Sequence, residues 1–391
     1  MERIFFSELK NLTSLTMRRK VIWLCSWYPN QEDRFTGDFI QRQAIAASHY
    51  ADIEVVHVAH AHEEHKTTHN VNTYLKETIY YSKSSSKLKQ YKEYFQLHES
   101  FISDYINRKG KPDLIHVHIP MRAGMVALRW KQIYGWPFLV SEHYGIYNTH
   151  VKDRFEKRNY FFRYFTRKIF KKADYFLSVS NFLGQAVNKH VITKHYEIVP
   201  NVVDTNLFFF LNEKQITKFK FIHVSDGSEI KNVNGIFKAV ERLYKQRQDF
   251  ELICIGITNS KYIKWLSEAT ILNNVIKLIP PLPYEEVATE VRQANAGVLF
   301  SFEETQSCVV LEWLCAGLPV ITSDVGGVGE LISEENGLLV CKESIEQLTK
   351  CMSKLIDTYN KYHGDKIATD AASTFSYNAV GTKLNSYYDK Y

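Results

Sequence analysis

Short apolar, β-branched runs alternate with helical periodicity from one end of the chain to the other. In the first half the runs are VIWLCSW (21–27), IEVVHVA (53–59), DLIHVHI (113–119), PFLVSEH (137–143), YFLSVS (175–180) and YEIVPN (196–201). Between them lie segments with apolar residues at helical spacing: Asp38–His49, Ser86–Asn107 and Phe155–Lys172. Continuous apolar runs suit strands covered on both faces, and intervening helices suit the crossovers of a parallel sheet. The pattern lapses over Asn201–Leu211 and then restarts. FKFIHVS (219–225), FELICIG (250–256), NVIKLIP (274–280), AGVLFS (296–301), PVITSD (319–324) and NGLLV (336–340) follow, again with helices between. The consequence is an α/β protein of two successive doubly wound, Rossmann-like sheets. They divide at 1–205 and 206–375, and FSYNAVGTKLNSYYDKY (375–391) reads as a last amphipathic helix.

Composition narrows this picture without changing it. A chain of 391 residues is long for one core, and 45% hydrophobic with 24% charged residues is the balance of a soluble globular protein. No uncharged apolar stretch approaches the ~20 residues of a membrane-spanning helix. The opening MERIFFSELKNLTSLTMRRK lacks a secretory layout, so a cytoplasmic protein is expected, with Met17 a plausible true start and 1–16 an extension. Six cysteines form no C-x-x-C pair and are expected to be reduced, buried thiols. A net charge of +6 permits an anionic partner without identifying one.

In open α/β sheets ligands bind beyond the carboxyl ends of the strands, so the residues just after each strand carry the chemistry. The first strand ends in SWYPNQEDRFTG, whose single glycine, Gly37, excludes a G-x-G-x-x-G dinucleotide fingerprint. No G-x-x-x-x-G-K-[ST] occurs, which argues against a P-loop NTPase. Gly37 is either a turn residue or the point where a phosphate approaches backbone N–H groups. His143 ends PFLVSEH, where its imidazole is either a satisfied structural group or a partner for a ligand hydroxyl. Lys231 follows HVSDGSEI at the start of a helix, an unfavourable place for a cation unless an anion binds there.

The stretch FEETQSCVVLEWLCAG (302–317) places Glu304 before a helix start and Glu312 in its second turn. Eight residues of helix would separate the two by about 12 Å and roughly 80° of rotation. That is too far for a shared proton or metal, yet it suits an elongated nucleotide diphosphate sugar. The phosphates would meet free N–H groups near Cys308 and Val309, with the ribose at one carboxylate and the sugar at the other. The plain alternative is a solvated Glu304 and a helix-face Glu312. Glycines 326, 327 and 329 in TSDVGGVGELI allow either close approach to a ligand or a simple turn.

Taken together, S-F-E-E-T-Q-S-C-V-V-L-E-W-L-C-A-G-L-P-V-I, SDVGGVGELI, NGLLV, PNVVD and LPYEEV resemble family 4 retaining glycosyltransferases (group 1) over nearly the whole chain. The resemblance implies the GT-B fold, two Rossmann-like domains facing across a cleft, with the C-terminal helix (376–391) crossing back onto the first. It implies that Glu304 and Glu312 are the family's Glu–seven residues–Glu pair. On that pattern Glu312 holds ribose hydroxyls and Glu304 the donor sugar. Lys231, Gly37 and the backbone at Cys308–Val309 hold the diphosphate, His143 faces the transferred sugar, and Asn201 of the PNVVD linker joins the donor site. Glu304, His143 and Lys231 would be the catalytic set.

Two departures stand out. Many members carry an arginine about five residues before the lysine, where Asp226 stands here. Many carry G-F-G after the first glutamate, where this chain has Thr305-Gln306-Ser307.

No Asp-x-Asp occurs, so neither a metal nor another cofactor is expected, and Lys231 with helix-end dipoles must meet the leaving-group charge. The expected reaction is transfer from a nucleotide sugar to a saccharide or lipid-linked acceptor with retained anomeric configuration, in bacterial surface polysaccharide or lipopolysaccharide synthesis. A non-catalytic nucleotide-sugar-binding protein and a nucleotide-sugar epimerase are the rivals. The cluster HVAHAHEEHKTTH (57–69) is not H-E-x-x-H and reads as an exposed loop. The segment 152–172, KDRFEKRNYFFRYFTRKIFKK, holds nine Lys/Arg against two Asp/Glu with aromatics between. It suggests either a surface helix whose aromatics face the core or peripheral contact with an anionic membrane, at the inner face of the cytoplasmic membrane. Nucleic acid is not expected, since no binding motif accompanies the charge.

Overall fold

The computed structural model describes residues 18–84, 86–148, 153–213, 218–268 and 272–391. The extension 1–16 with Met17, and Lys152 of the basic segment, lie outside them. The first half runs β1 (Lys20–Cys25), α1 (Asp38–Ser48), β2 (Asp52–His60), β3 (His65–Asn72), β4 (Leu75–Ser82), α2 (Lys87–Lys109) and β5 (Leu114–His118). It continues through α3 (Pro120–Tyr134), β6 (Phe138–Glu142), α4 (Tyr160–Lys172), β7 (Tyr175–Ser178), α5 (Asn181–His190) and β8 (Glu197–Ile198). The second half has β9 (Phe219–Val224), α6 (Val233–Tyr244), β10 (Phe250–Ile255), α7 (Ser260–Glu268), β11 (Ile276–Ile279), α8 (Tyr284–Gln293) and β12 (Ala296–Leu299). After it come α9 (Cys308–Cys315), β13 (Val320–Ser323), β14 (Gly337–Val340), α10 (Ile345–Thr358), α11 (Gly364–Phe375) and α12 (Tyr377–Tyr388).

These strands form two sheets, ordered β3-β4-β2-β1-β5-β6-β7-β8 and β11-β10-β9-β12-β13-β14. Neighbours pair in parallel except β3 with β4. The doubly wound expectation is therefore met, with helices burying apolar clusters on both faces of each sheet. Central strands are apolar throughout because both faces are covered, as in Val21–Cys25 of β1.

Several sequence expectations change. The histidine-rich stretch is not a loop throughout: His65 and His69 lie on β3, a solvent-exposed edge strand antiparallel to the buried β4. Its polar residues hid a strand that needs no apolar face, because the sheet edge leaves it in water. YEIVPN contributes only the short β8, and the rest is linker. All six cysteines are free, but Cys341 is exposed and Cys308 and Cys351 half-buried.

Two features of the topology position the site. Strand order reverses between β1 and β5 in the first sheet and between β9 and β12 in the second, and crevices open where neighbouring loops diverge in this way. The loops after β9 and β12 carry Lys231 and Glu304. Helix α12 leaves the second half and packs Val380, Leu384, Tyr387 and Tyr388 into the core beside Trp23 and Val55. The Tyr388 hydroxyl pairs with His116 Nδ1 at 2.7 Å.

Candidate active site

Lys231 closes a short turn, Glu229–Lys231, that precedes α6, and its Nζ donates to Glu304 Oε1 at 2.7 Å. Ser301 Oγ donates to the same carboxylate oxygen at 2.8 Å. Burial works to lower the lysine's pKa, but the Glu304 carboxylate outweighs it and the net shift is upward, so the ammonium stays charged. The two groups that the sequence placed on opposite loops of the second sheet's switch point thus meet there.

The Glu304 loop is wedged in place. Gly326 has φ +58, and a side chain there would collide with the Glu304 backbone; at Gly327 it would collide with the Thr305 carbonyl. The glycines of SDVGGVGELI serve this loop-to-loop approach, as part of a 3-10 turn over Gly326–Leu331. The far side of the loop meets the first half of the chain. Ser180 Oγ donates to Thr305 O at 2.9 Å, and Gln306 Nε2 donates to Val179 O at 2.7 Å. Asn201 N donates to Gln306 Oε1 at 2.7 Å. Thr305-Gln306-Ser307, the departure from the family pattern, therefore ties the site to the other domain.

Glu312 lies in the second turn of α9 and is 4% exposed. It accepts a hydrogen bond from the Tyr284 hydroxyl at 2.8 Å. Burial pushes its pKa up to about 7, although Arg42 and the Tyr284 bond pull the other way. The start of α9 has no side-chain cap, since Ser307 makes none, so its leading N–H groups are left without a capping side chain, as an anion site requires. Cys308 sits at that start, its thiol pushed up to about 12 by burial even with Arg42 nearby, so it is a neutral group. Val309 follows it, half-buried.

From the first half, Gly37 caps α1 with φ +79, and an added Cβ would lie 2.8 Å from the Trp27 and Tyr28 backbone. Only glycine lets the β1 loop fold this tightly onto the helix start. His143 is 6% exposed at the end of β6. Its Nε2 stands 3.3 Å from His118 Nδ1, and its ring tilts against Phe39 at 5.1 Å. Burial lowers its pKa to about 3, offset only partly by the neighbouring Asn201 side chain, so it is a neutral imidazole at ordinary pH. Nδ1 has no protein partner.

The structure gathers the expected residues along one seam between the halves. Lys231 joins Glu304 directly, Asn201 reaches the Glu304 loop through Gln306, and Gly37 begins the helix that touches Glu312's surroundings. It also supplies residues the sequence did not flag: Ser301, Tyr284, Gln306 and Arg42. Arg42 of α1 pairs with Asp38 at 2.8 Å and lies 5.1 Å over the Tyr284 ring of the other domain. No local motif marks it, because Tyr284 and Cys308, which it meets across the seam, lie more than two hundred residues away. A separate cavity of 690 Å³ borders the same seam near Gln306, Glu330 and Phe375, but neither carboxylate of the pair lines it.

Two facing nucleotide-type sheets with this seam between them constitute a GT-B protein. Solved structures agree on the fold: sucrose-phosphate synthase from Thermosynechococcus elongatus superposes with TM-score 0.76 at 16% identity, covering 95% of this chain and 99% of that one. Anabaena HepE in complex with UDP gives TM-score 0.72 at 13% identity, covering 95% and 100%.

The family described as glycosyl transferases group 1 matches residues 204–366, and that described as glycosyltransferase family 4 matches 91–207. The chain belongs to these group 1, family 4 glycosyltransferases. An uncharacterised glycosyltransferase of Methanocaldococcus jannaschii is 25% identical over 63% of this chain. A glycosyltransferase named for teichuronic acid biosynthesis in Bacillus subtilis is 22% identical over 86% of this chain and 88% of its own length. The D-inositol 3-phosphate glycosyltransferase of Corynebacterium glutamicum is 29% identical over 39% of this chain. The chain spans 66% of the archaeal protein's length and 39% of the corynebacterial one's.

Proposed function

We propose that this chain transfers a sugar from a nucleotide diphosphate donor to a saccharide or lipid-linked acceptor, retaining anomeric configuration. The observation that carries the reading is the largely buried Lys231–Glu304 pair beside the uncapped start of α9, with Glu312 one turn further along. In it, Glu312 holds the ribose and Glu304 the donor sugar. Lys231 and the N–H groups of Cys308 and Val309 stabilise the departing diphosphate by charge already in position before reaction. Gly37 and Asn201 complete the donor site. His143, neutral and with a ring nitrogen free, faces the transferred sugar as a hydrogen-bond partner. The leaving phosphate takes the acceptor proton on the attacking face, so positioning carries the rate and no side-chain base is invoked. On this account neither a metal nor another cofactor is required.

UDP as the nucleotide is supported by HepE, solved with UDP and with UDP-glucose. A role in bacterial surface polysaccharide synthesis is supported by the teichuronic acid relative. Contact with the inner face of the cytoplasmic membrane is supported by α4. Its Ile169 and Phe170 face the core, while Tyr160, Phe161 and Tyr164 are exposed beside Arg163 and Lys168. No described helix is long and apolar enough to cross a membrane. Sedimentation with anionic vesicles should carry the chain down and neutral vesicles should not; equal recovery removes this part.

The catalytic reading is tested with Glu304→Gln against a panel of nucleotide sugars. Transfer should fall at least about a hundredfold while nucleoside diphosphate affinity stays within a few-fold. Undiminished transfer would refute the assignment of Glu304. A new epimer formed from donor alone would instead favour an epimerase.

A further inference from the structure

The site as described meets a doubly negative diphosphate with one ammonium from the second domain, because Asp226 stands where the family resemblance places an arginine. Arg42 approaches the same place from the first domain. The residue is 9% exposed, on the second turn of α1 after Gly37. One nitrogen, Nη1, donates to Asp38 Oδ2 at 2.8 Å, and the guanidinium lies over the Tyr284 ring whose hydroxyl holds Glu312. Its Nε is buried without a partner. Cys308, at the uncapped start of α9, is hydrogen-bonded to the Arg42 guanidinium through its side chain and lies within electrostatic range of Lys231.

A guanidinium has five N–H donors in a planar fork, and burying it with a donor unmet is costly unless a ligand completes the set. Asp38 neutralises the charge but leaves that fork incompletely used. The Tyr284 ring centre lies 5.1 Å from the guanidinium carbon, and Nε still has no partner. Both cations lie near Cys308 at the start of α9, which stands between the sugar carboxylate Glu304 and the ribose carboxylate Glu312 along the chain. In an extended donor the group between sugar and ribose is the diphosphate.

We propose that Arg42 is a diphosphate-binding residue contributed by the first domain, which with Lys231 of the second forms a cation pair across the start of α9. The role rests on the nucleotide-diphosphate reading above and adds to it the residue that replaces the missing arginine. Because the two cations stand on different domains, a diphosphate bridges the domains whereas a ribose monophosphate need not. Affinity for the second phosphate then depends on Arg42 much more than affinity for the nucleoside does. A residue that merely latched the domains together through Asp38 and Tyr284 would affect both equally.

The test is the ratio of dissociation constants for monophosphate over diphosphate, measured by calorimetry on the full chain with UMP and UDP, GMP and GDP. For the pair that binds, Arg42→Gln should lower the ratio by about tenfold or more, with monophosphate affinity changed only a few-fold. Arg42→Lys should lie between, since it keeps charge without the fork. If Arg42→Gln does not fold, Asp38→Asn serves: freeing Arg42 from its partner should keep or raise the ratio. An unchanged ratio in Arg42→Gln, or a fall in Asp38→Asn, overturns the role of Arg42 and leaves the donor site standing. Failure of the unaltered chain to bind either diphosphate overturns the donor reading together with it.

Discussion

Glu312 shows what a single carboxylate costs when it is placed in a helix among Leu311, Trp313 and Leu314. It is buried with one hydrogen bond from Tyr284, and its pKa rises to about 7 from an ordinary 4.5. The folded chain therefore binds that proton more tightly than the unfolded one, so the associated stability is present below pH 4.5 and lost as pH rises through 7. Glu312→Gln keeps an acceptor for Tyr284 and removes the charge. Its stability advantage over the unaltered chain should grow between pH 5 and pH 8, by about 3 kcal/mol at most. A difference that stays flat over that range would show the carboxylate to be ordinarily acidic. At this scale the sequence marked Glu304, Glu312 and Lys231, because unsatisfied charge beside apolar residues and helix starts is visible in one dimension. Arg42 and Ser301 were not legible: Arg42 acts over a long chain separation, and a serine at a strand end has no signature of its own.

At the scale of elements, α9 and the loops around it depend on backbone shape more than on side chains. Gly326 combines a positive φ with a Cβ position that would clash with the Glu304 backbone. Gly326→Ala should cost about 1–3 kcal/mol and lower donor affinity, because it displaces the loop that presents Glu304. Gly135→Ala is the control: its φ is +74 in the left-handed helical region, but nothing lies within 4 Å of its Cβ position. It should cost about 1 kcal/mol or less and leave donor affinity unchanged. Equal loss of affinity in both, read by calorimetry after checking thermal unfolding, would separate Gly326 from the site. Here the sequence was informative where elements are buried on both faces, as in β1 and β10. It failed at β3, because an exposed edge strand carries polar residues, and β4 beside it was not marked at all. The open choice at SDVGGVGELI could not be settled either, since what the glycines approach is a distant backbone.

For the whole molecule, the two-sheet architecture was legible because alternation of strand and helix recurs twice with a lapse between. The seam was not, because contacts such as Gln306 with Val179 depend on how the halves meet. The seam and the first core also concentrate buried histidines. Burial lowers the pKa of His116 and His118 well below 6.5, His143 to about 3, and His57, His98 and His223 to about 4. Each contributes stability that is present above 6.5 and lost as pH falls toward its folded value. Glu312 and Glu142, both raised to about 7, act in the opposite sense, but six imidazoles outnumber two carboxyls. Urea unfolding should therefore show stability falling steeply from pH 6.5 to 5, and a rise over that interval would contradict the burial of these rings. The central claim is that one diphosphate donor occupies the seam and touches both domains. Hydrogen-exchange mass spectrometry, with the nucleoside diphosphate that most raises thermal stability, tests it most directly. Protection should appear together in segments 37–42, 229–233 and 304–312; protection confined to one half of the chain, or lying elsewhere, would contradict the account.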